Sequence, residues 1–391
     1  MTILRLAVRN LLGGGMKSWL NAVVLSIAFV AIIWTQGLYQ GMDNQVSRAI
    51  IDAAVGGGQY WMETYDPFDP FTLQDAHLKL TGKLDKLVKS GKATPVLIIQ
   101  GTIYPGGRIQ SVILKGIDPE QKLLSFPSSF LKNLDREIPA LIGRRMAQTT
   151  GLKTGDAVTV RWRDAHGTFD ARDLRIVQVM STSVQTIDAG QIWVPLRKLQ
   201  EMASMPNEAT LVITEKNFGQ AEKVPGWTFR DLNFLLKDIQ DFIKSKTIGA
   251  SIFYSFLLFL AMLAIFNTQV LSIFRRRKEI GTLMALGLPR GKVIELFTVE
   301  GALQAILAAL VGAVYGIPLL AYFVAKGWPV PSGMADSFGF ALSEKLFPTY
   351  SAGLVVGTTI LVLIITTIVS FLPTRKIAKL KPTDALRGRL P

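Results

Sequence analysis

The chain has 391 residues, is 49% hydrophobic yet 18% charged, and carries a formal net charge of +14. That mixture points to apolar and aqueous parts kept apart along the chain rather than to one soluble core. The absence of cysteine excludes disulfide staples, thiol catalysis and cysteine metal sites.

Residues 1–17 place Leu4, Leu11 and Leu12 among Arg5 and Arg9, a pattern that predicts an interfacial helix on the cytoplasmic surface. Gly13-Gly14-Gly15 breaks it before the first apolar run. A signal peptide is the competing reading, but its apolar region spans only about 7–15 residues, and no small-residue cleavage site follows; a retained helix is expected. Four stretches carry no charged residue: Ser18–Met42, Thr247–Phe274, Gly301–Ala325 and Leu346–Thr374. Each exceeds the roughly 20 residues that cross a bilayer core as helix. None contains Asp, Glu, Lys, Arg or His, which argues against an intramembrane proton or ion relay.

The charge is placed unevenly. Segments 1–17, 275–300 and 375–391 hold 15 basic against 4 acidic residues, whereas Asp43–Lys244 holds 25 against 23. A basic chain can bind nucleic acid, but these cations flank the spans, and membrane topology accounts for them. The expected architecture is therefore an α-helical membrane protein with four transmembrane helices, both termini in the cytoplasm, and a mixed α+β extracytoplasmic domain at 43–246 between helices 1 and 2.

Within that domain, Gly58–Tyr65, Thr94–Tyr104 and Arg108–Gly116 read as strands, and Leu73–Lys89 and Ala140–Leu152 as helices. Val158–Trp162 and Leu174–Met180 read as paired strands. Two lobes are expected, parted near Asp118–Pro139. Leu232, Leu235, Leu236, Ile239 and Ile243 recur at helical spacing and predict a stalk helix over 227–246, leading into the second span at 247–274. A cytoplasmic loop (275–300), a third span (301–325), an outer loop (326–345), a fourth span (346–374) and a cytoplasmic tail (375–391) complete the chain.

The loop is the most informative stretch. Arg275 to Lys278 follow the second span directly. Ile280, Leu283 and Met284 then share one helical face, Gly287 suits a left-handed C-terminal residue, and Pro289 cannot continue the helix. An apolar-faced helix in so short a loop needs cover, either the lipid interface or a groove on a cytoplasmic partner. Enzyme signatures are missing: there is no G-x-S-x-G or H-E-x-x-H, and only His77 and His166 are present. Gly287–Val293 imitates a phosphate loop poorly, with Val293 where Ser or Thr must hold magnesium. Small residues at four-residue spacing, Ala308, Gly312 and Gly316, then Gly353 and Gly357, predict close helix packing within the chain. Asn267 and Gln269 are polar groups in the second span, expected to hydrogen-bond neighbouring helices.

Arg277–Gly287 (RKEIGTLMALG), Phe297, Glu300, Gly301, the glycine-spaced third span and Pro373–Arg387 together resemble the FtsX-like permeases of ATP-binding cassette systems of the MacB and LolC/LolE kind. Val112–Gln121 and Ala140–Val160 are similar to the outer domains of LolC/LolE. The resemblance implies a non-catalytic, mechanotransmission (type VII) permease of the bacterial inner membrane. Its large domain lies in the periplasm, it pairs with a second permease protomer, and it rests on a dimer of a separate ATPase subunit that supplies ATP and magnesium chemistry. No cofactor is expected on this chain. The coupling helix carried over is Glu279, Ile280, Gly281, Leu283, Met284, Ala285, Leu286 and Gly287. The implied path for lipid-attached cargo takes Leu25, Phe29 and Ile32 on the first span with Phe253, Phe256 and Leu260 on the second.

Lipoprotein release is the function the resemblance favours. MacB-like export of peptides or antibiotics and FtsX-like regulation of cell-wall hydrolases are the alternatives. Arg163–Asp173 is short where LolC carries a chaperone-capturing hook, so a periplasmic chaperone is not assured a docking site, and no ATPase domain of the kind fused in MacB is read within these residues. The topology is tested with single cysteines and a membrane-impermeant thiol reagent: Ser128→Cys should label from outside and Thr282→Cys should not.

Overall fold

The four charge-free runs become parts of four long helices. The computed structural model describes residues 2–13, 15–132, 137–180, 190–219, 221–330 and 345–375. Helices α1 (Thr2–Gly13) and α2 (Gly15–Ile50) come first. The short α3 (Gly82–Lys89), α4 (Arg144–Thr150), α5 (Leu196–Ala203) and α6 (Leu232–Leu235) lie among strands. Then follow α7 (Lys237–Arg275), α8 (Arg277–Ala285), α9 (Arg290–Lys326) and α10 (Ala352–Thr374). Four segments, Ser18–Val55, Lys237–Arg275, Arg290–Lys326 and Ala352–Thr374, are long and apolar enough to cross a membrane. The tail beyond Arg375 with Lys376, Lys379 and Lys381, most of the outer loop (331–344) and positions 133–136 lie outside the described residues.

The chain divides into two units, and the boundaries fall inside α2 and α7. The helical unit comprises Met1–Asp43, Phe242–Trp328 and Leu346–Pro391. Its core gathers Leu25, Phe29 and Ile32 of α2, Leu258, Ala261 and Ile265 of α7, Ala305 and Ala308 of α9, and Val362 of α10. Close approach is bought with glycine. A Cβ at Gly316 would lie 2.8 Å from Val30, and one at Gly301 would collide with Ser370. Gly312 also faces Val30 and Phe29, so the α9 row packs within the chain as expected. The α10 row does not: Gly353 and Gly357 have nothing within 4 Å of a built Cβ, because α10 turns that side away from its own bundle. Leu346–Tyr350 is not helical. Instead it crosses α2 at Gly37 and Gly41, where a Cβ would strike Tyr350 or the Phe347 carbonyl.

The second unit comprises Asn44–Asp241 and Pro329–Lys345. Its strands are β1 (Gln59–Met62), β2 (Leu78–Lys79), β3 (Ala93–Ile103), β4 (Gln110–Ile117), β5 (Ile138–Gly143), β6 (Ala157–Arg163), β7 (Phe169–Met180), β8 (Gln191–Pro195), β9 (Glu208–Ala209), β10 (Leu211–Thr214) and β11 (Trp227–Arg230). Among the described residues, nine of them form one mixed sheet in the order β11-β1-β10-β3-β4-β8-β5-β7-β6, and β6 also pairs β3. The pairs β4–β8 and β5–β7 are parallel. The long β3 makes the closure possible by changing partners along its length, β10 near Thr94 and β6 near Thr102. Gly101 stands at the crossing, where even a Cβ would sit 3.2 Å from Leu114.

Alternation splits β3 between two cores, as a strand buried on both faces requires. Leu97 and Ile99 join Leu114, Val160, Trp162, Ile176 and Leu199. Val96 and Ile98 join Leu141, Trp193, Leu211 and Ile213, covered by Ala49, Ile50 and Ala53. Trp162 is fully buried and donates its indole N–H to the Met202 carbonyl at 2.8 Å, which satisfies the polar atom that burial strands.

Several expectations are corrected here. Leu73–Lys89 is not one helix. A 3₁₀ turn at Pro70–Gln74, strand β2 and α3 replace it, because Gly82 takes a positive φ and Leu73 and Leu84 enter different cores. Ala140–Leu152 begins as a strand, since Ala140, Leu141 and Ile142 are all fully buried between β8 and β7. The domain does not part into two lobes near Asp118–Pro139, for the strands on either side of that segment share one sheet. The stalk over 227–246 opens as β11, paired to β1, and turns helical only after the Asp231 cap. The pairing of Val158 with Leu174 holds. Ser128 is buried, bonded to the Pro119 carbonyl, so the neighbouring exposed Ser129 is the proper labelling position.

Lys115 stands out in the second core, its ammonium 5.2 Å from the centre of the Trp193 ring. Burial pushes that ammonium down from 10.5 to about 8. The folded state therefore releases its proton before the unfolded state does. The cost of burying the charge is full below about pH 8 and declines as pH rises toward 10.5. Lys115→Met should raise the unfolding temperature at pH 7. Its advantage over the parent chain should shrink as melts are repeated from pH 8 to 10.5.

Candidate functional site

Helix α7 ends at Arg275, and Arg276 leaves the helical region before α8 starts at Arg277. α8 is closed by a Schellman motif: Leu288 N–H bonds the Leu283 carbonyl, Gly287 N–H bonds the Met284 carbonyl, and Gly287 takes φ +95°. Pro289 then caps α9. The short helix is therefore bounded by backbone chemistry that the sequence prescribes.

Its apolar face is not free. Ile280 is buried among Ile273, Val293 and Phe297, and Met284 and Leu288 pack on the same cluster. The first two turns of α9 fold back over the helix and provide the cover that the loop was expected to lack. Gly281 is buried and Leu283 half-buried, whereas Glu279, Thr282, Ala285 and Gly287 are exposed. Leu286, at 80% exposure, is the prominent apolar side chain left open. The surface this helix offers thus lies one step around from the face shared by Ile280, Leu283 and Met284.

An ion-pair group holds the helix in place. Arg276 bonds Glu279 at 2.9 Å and Glu300 at 3.2 Å, and its guanidinium lies 5.1 Å from the centre of the Phe297 ring. Asn10 of α1 completes the group, its amide oxygen accepting from the Arg276 guanidinium at 2.9 Å. Sequence reasoning quoted Glu300 only as a family residue and passed over Asn10. A carboxylate one helical element away from an arginine run was the available signal.

The expected cargo path separates into two sets. Leu25, Phe29 and Ile32 are core residues packed against α7, α9 and α10, and Leu25 and Phe29 line a small apolar cavity of about 80 Å³ there. A helix of uniform apolarity gives no phase by which to tell its inner face from its outer one. Phe253, Phe256 and Leu260 are exposed along one side of α7, and the exposed side of α2 is Trp19, Leu20, Val23, Val24 and Ile27. Among the described residues no group of three His, Asp or Glu is arranged to hold a metal ion.

Residues 18–222 match the family profile of the MacB-like periplasmic core domain, and residues 251–382 match that of the FtsX-like permease C-terminal region. The chain belongs to the FtsX-like, MacB-type ABC transporter permeases. An uncharacterised ABC transporter permease of Methanocaldococcus jannaschii is 23% identical, covering 99% of this chain and 98% of its own length. The lipoprotein-releasing system transmembrane protein LolC of Neisseria meningitidis is 22% identical over 75% of this chain and 77% of its own. The macrolide export ATP-binding/permease protein MacB of Neisseria gonorrhoeae is 32% identical over 125 residues, which is 32% of this chain and 17% of its own. The permease is a multi-pass membrane protein with a mixed α/β core domain.

Ile280 and Leu286 separate packing from surface in this permease. Ile280→Ala empties a buried site and should cost about 2–5 kcal/mol. Leu286→Ala, at an exposed position, should stay within about 0.5 kcal/mol. Thermal unfolding of the two purified variants against the parent chain checks the contrast.

Proposed function

We propose that this chain is the permease subunit of an ABC transporter that works by mechanotransmission and releases lipoproteins from the bacterial inner membrane. Two protomers pair in the membrane, and each rests on a cytoplasmic ATPase subunit that binds ATP and magnesium. The permease itself catalyses nothing and binds no cofactor. The observation that carries the coupling role is the α8 helix, locked by Arg276 and the Schellman turn, with Leu286 open at its tip. In this reading Glu279, Leu283, Ala285 and Leu286 meet the ATPase, while Ile280 and Met284 position them from within.

ATPase closure then moves α7 and α2, whose far ends are anchored in the core domain in the periplasm. Asp52, just past α2, pairs with Lys216 at 2.6 Å, and Ser125 N–H bonds the Asp52 carbonyl. Ahead of α7, the Arg230 guanidinium stacks over Phe234, and Trp61 meets the same ring edge-on. Lipoprotein cargo is favoured by the similarity to LolC over most of both chains. The identity with MacB over 125 residues favours export of other substrates as the second reading. The turn between β6 and β7 closes tightly, Asp164 N–H bonding the Thr168 carbonyl, which supports cargo hand-over without a chaperone hook at this hairpin.

Leu286→Asp tests the coupling role without touching the buried face. The variant should insert and fold normally, lose its ATPase on purification and stop transport. Recovery of a full complement of ATPase would rule the role out. Cargo is tested by a photocrosslinker at Phe256, on the exposed side of α7. It should trap acylated protein, and trapping of bulk phospholipid alone would reject the proposed path.

A further inference from the structure

The helical unit contains a polar cavity of about 400 Å³ between α1, the end of α7 and the start of α9. Arg9, Arg275, Arg276, Glu279, Glu300 and Gln269 are among its lining residues. Arg276 is engaged by both carboxylates. Arg9 and Arg275 have no ion-pair partner among the described residues, although each faces the same space. Among the described lining residues, three arginines face two carboxylates, an excess of one positive charge.

Gln269 supplies an independent indication. It is only 4% exposed and its carbonyl oxygen has no hydrogen-bond partner. The expectation that neighbouring helices satisfy it is not met at that oxygen. Buried polar atoms are partnered as a rule, and Gln269 is one of the residues that line this cavity. What fits it is a ligand that brings a hydroxyl or another donor.

The cavity also has an apolar edge. Leu271 lines it and is half-exposed, Phe274 is exposed one turn on, and Ser18, another lining residue, is followed by exposed Trp19 and Leu20. These side chains offer acyl chains a surface beside the polar space. We propose that the cavity holds the headgroup of an anionic phospholipid. One phosphodiester charge sits between Arg9 and Arg275, and a headgroup hydroxyl donates to Gln269. Phosphatidylglycerol has that chemistry, a single negative charge and free hydroxyls. A zwitterionic headgroup would leave the excess positive charge unbalanced, and a nucleoside triphosphate would overshoot it. The inference requires these helices to lie in a membrane and is independent of the ATPase pairing.

The test uses the full chain, stripped of lipid in detergent and titrated with phosphatidylglycerol or phosphatidylethanolamine under native mass spectrometry. Phosphatidylglycerol should bind in preference. Each arginine near a lipid phosphate contributes about fivefold in affinity, so the double variant Arg9→Gln/Arg275→Gln should weaken binding about twenty-five-fold. Both side chains are exposed and have no ion-pair partner among the described residues, so the fold should survive, and an unchanged melt confirms this. Gln269→Leu should reduce the preference for phosphatidylglycerol over phosphatidylmethanol, which carries the same single charge and no hydroxyl. Arg108→Gln, in the core domain, should change nothing. Equal phosphatidylglycerol retention by the double variant and the parent would overturn the proposal. So would equal binding of phosphatidylethanolamine, or displacement of the lipid by inorganic phosphate, which would mark a free-phosphate site instead.

Discussion

Arg276 is the side chain on which the loop end of the helical unit depends. It sits at the break between α7 and α8, binds a carboxylate from each of α8 and α9, and covers the Phe297 ring. The pair with Glu300 is partly buried, and breaking a buried pair by removing one partner leaves an uncompensated charge at a cost of about 3–5 kcal/mol. That asymmetry holds α8 in one orientation. Ile280 can then stay under α9, and Leu286 is left pointing away from the core. The fixing matters because a helix of nine residues has little stability of its own.

The core domain answers a different requirement. Its sheet must resist deformation if motion is to pass through it, and β3 meets this by pairing with three strands and packing both faces. The chain enters and leaves at sites stitched to the same sheet: Ala49, Ile50 and Ala53 cover one face, and β11 adds to the edge strand β1. Glu137 and Arg175 brace β5 and β7 from outside, the guanidinium lowering the carboxyl below its usual range. Lys115 is the exception, a half-buried cation held over the Trp193 ring, where desolvation opposes its charge.

Much of this was legible from residues alone. Charge-free runs bounded by cations identify four long helices because the bilayer admits little else. Gly287 and Pro289 end α8 where backbone rules say a helix must end. The hairpin of β6 and β7 is visible as two alternating runs around a polar turn. The family itself follows from the loop motif and the helix that succeeds it.

What the linear pattern could not decide was which apolar face meets which neighbour. Leu25, Phe29 and Ile32 are as apolar as Trp19, Leu20 and Ile27, and only the packing of α7, α9 and α10 buries the first set and exposes the second. Ile280 looks like an anchor for a partner until α9 folds back across it. Ala140–Ile142 carries an apolar run that suits helix or strand, and its place between β7 and β8 makes it a strand. The sequence by itself determined the spans, the turns and the family, because those rest on local backbone geometry and on transfer of apolar residues from water. The tertiary structure alone decided the faces, the orphaned Gln269 and the cavity beside it, because burial is a property of neighbours that the chain brings together from far apart.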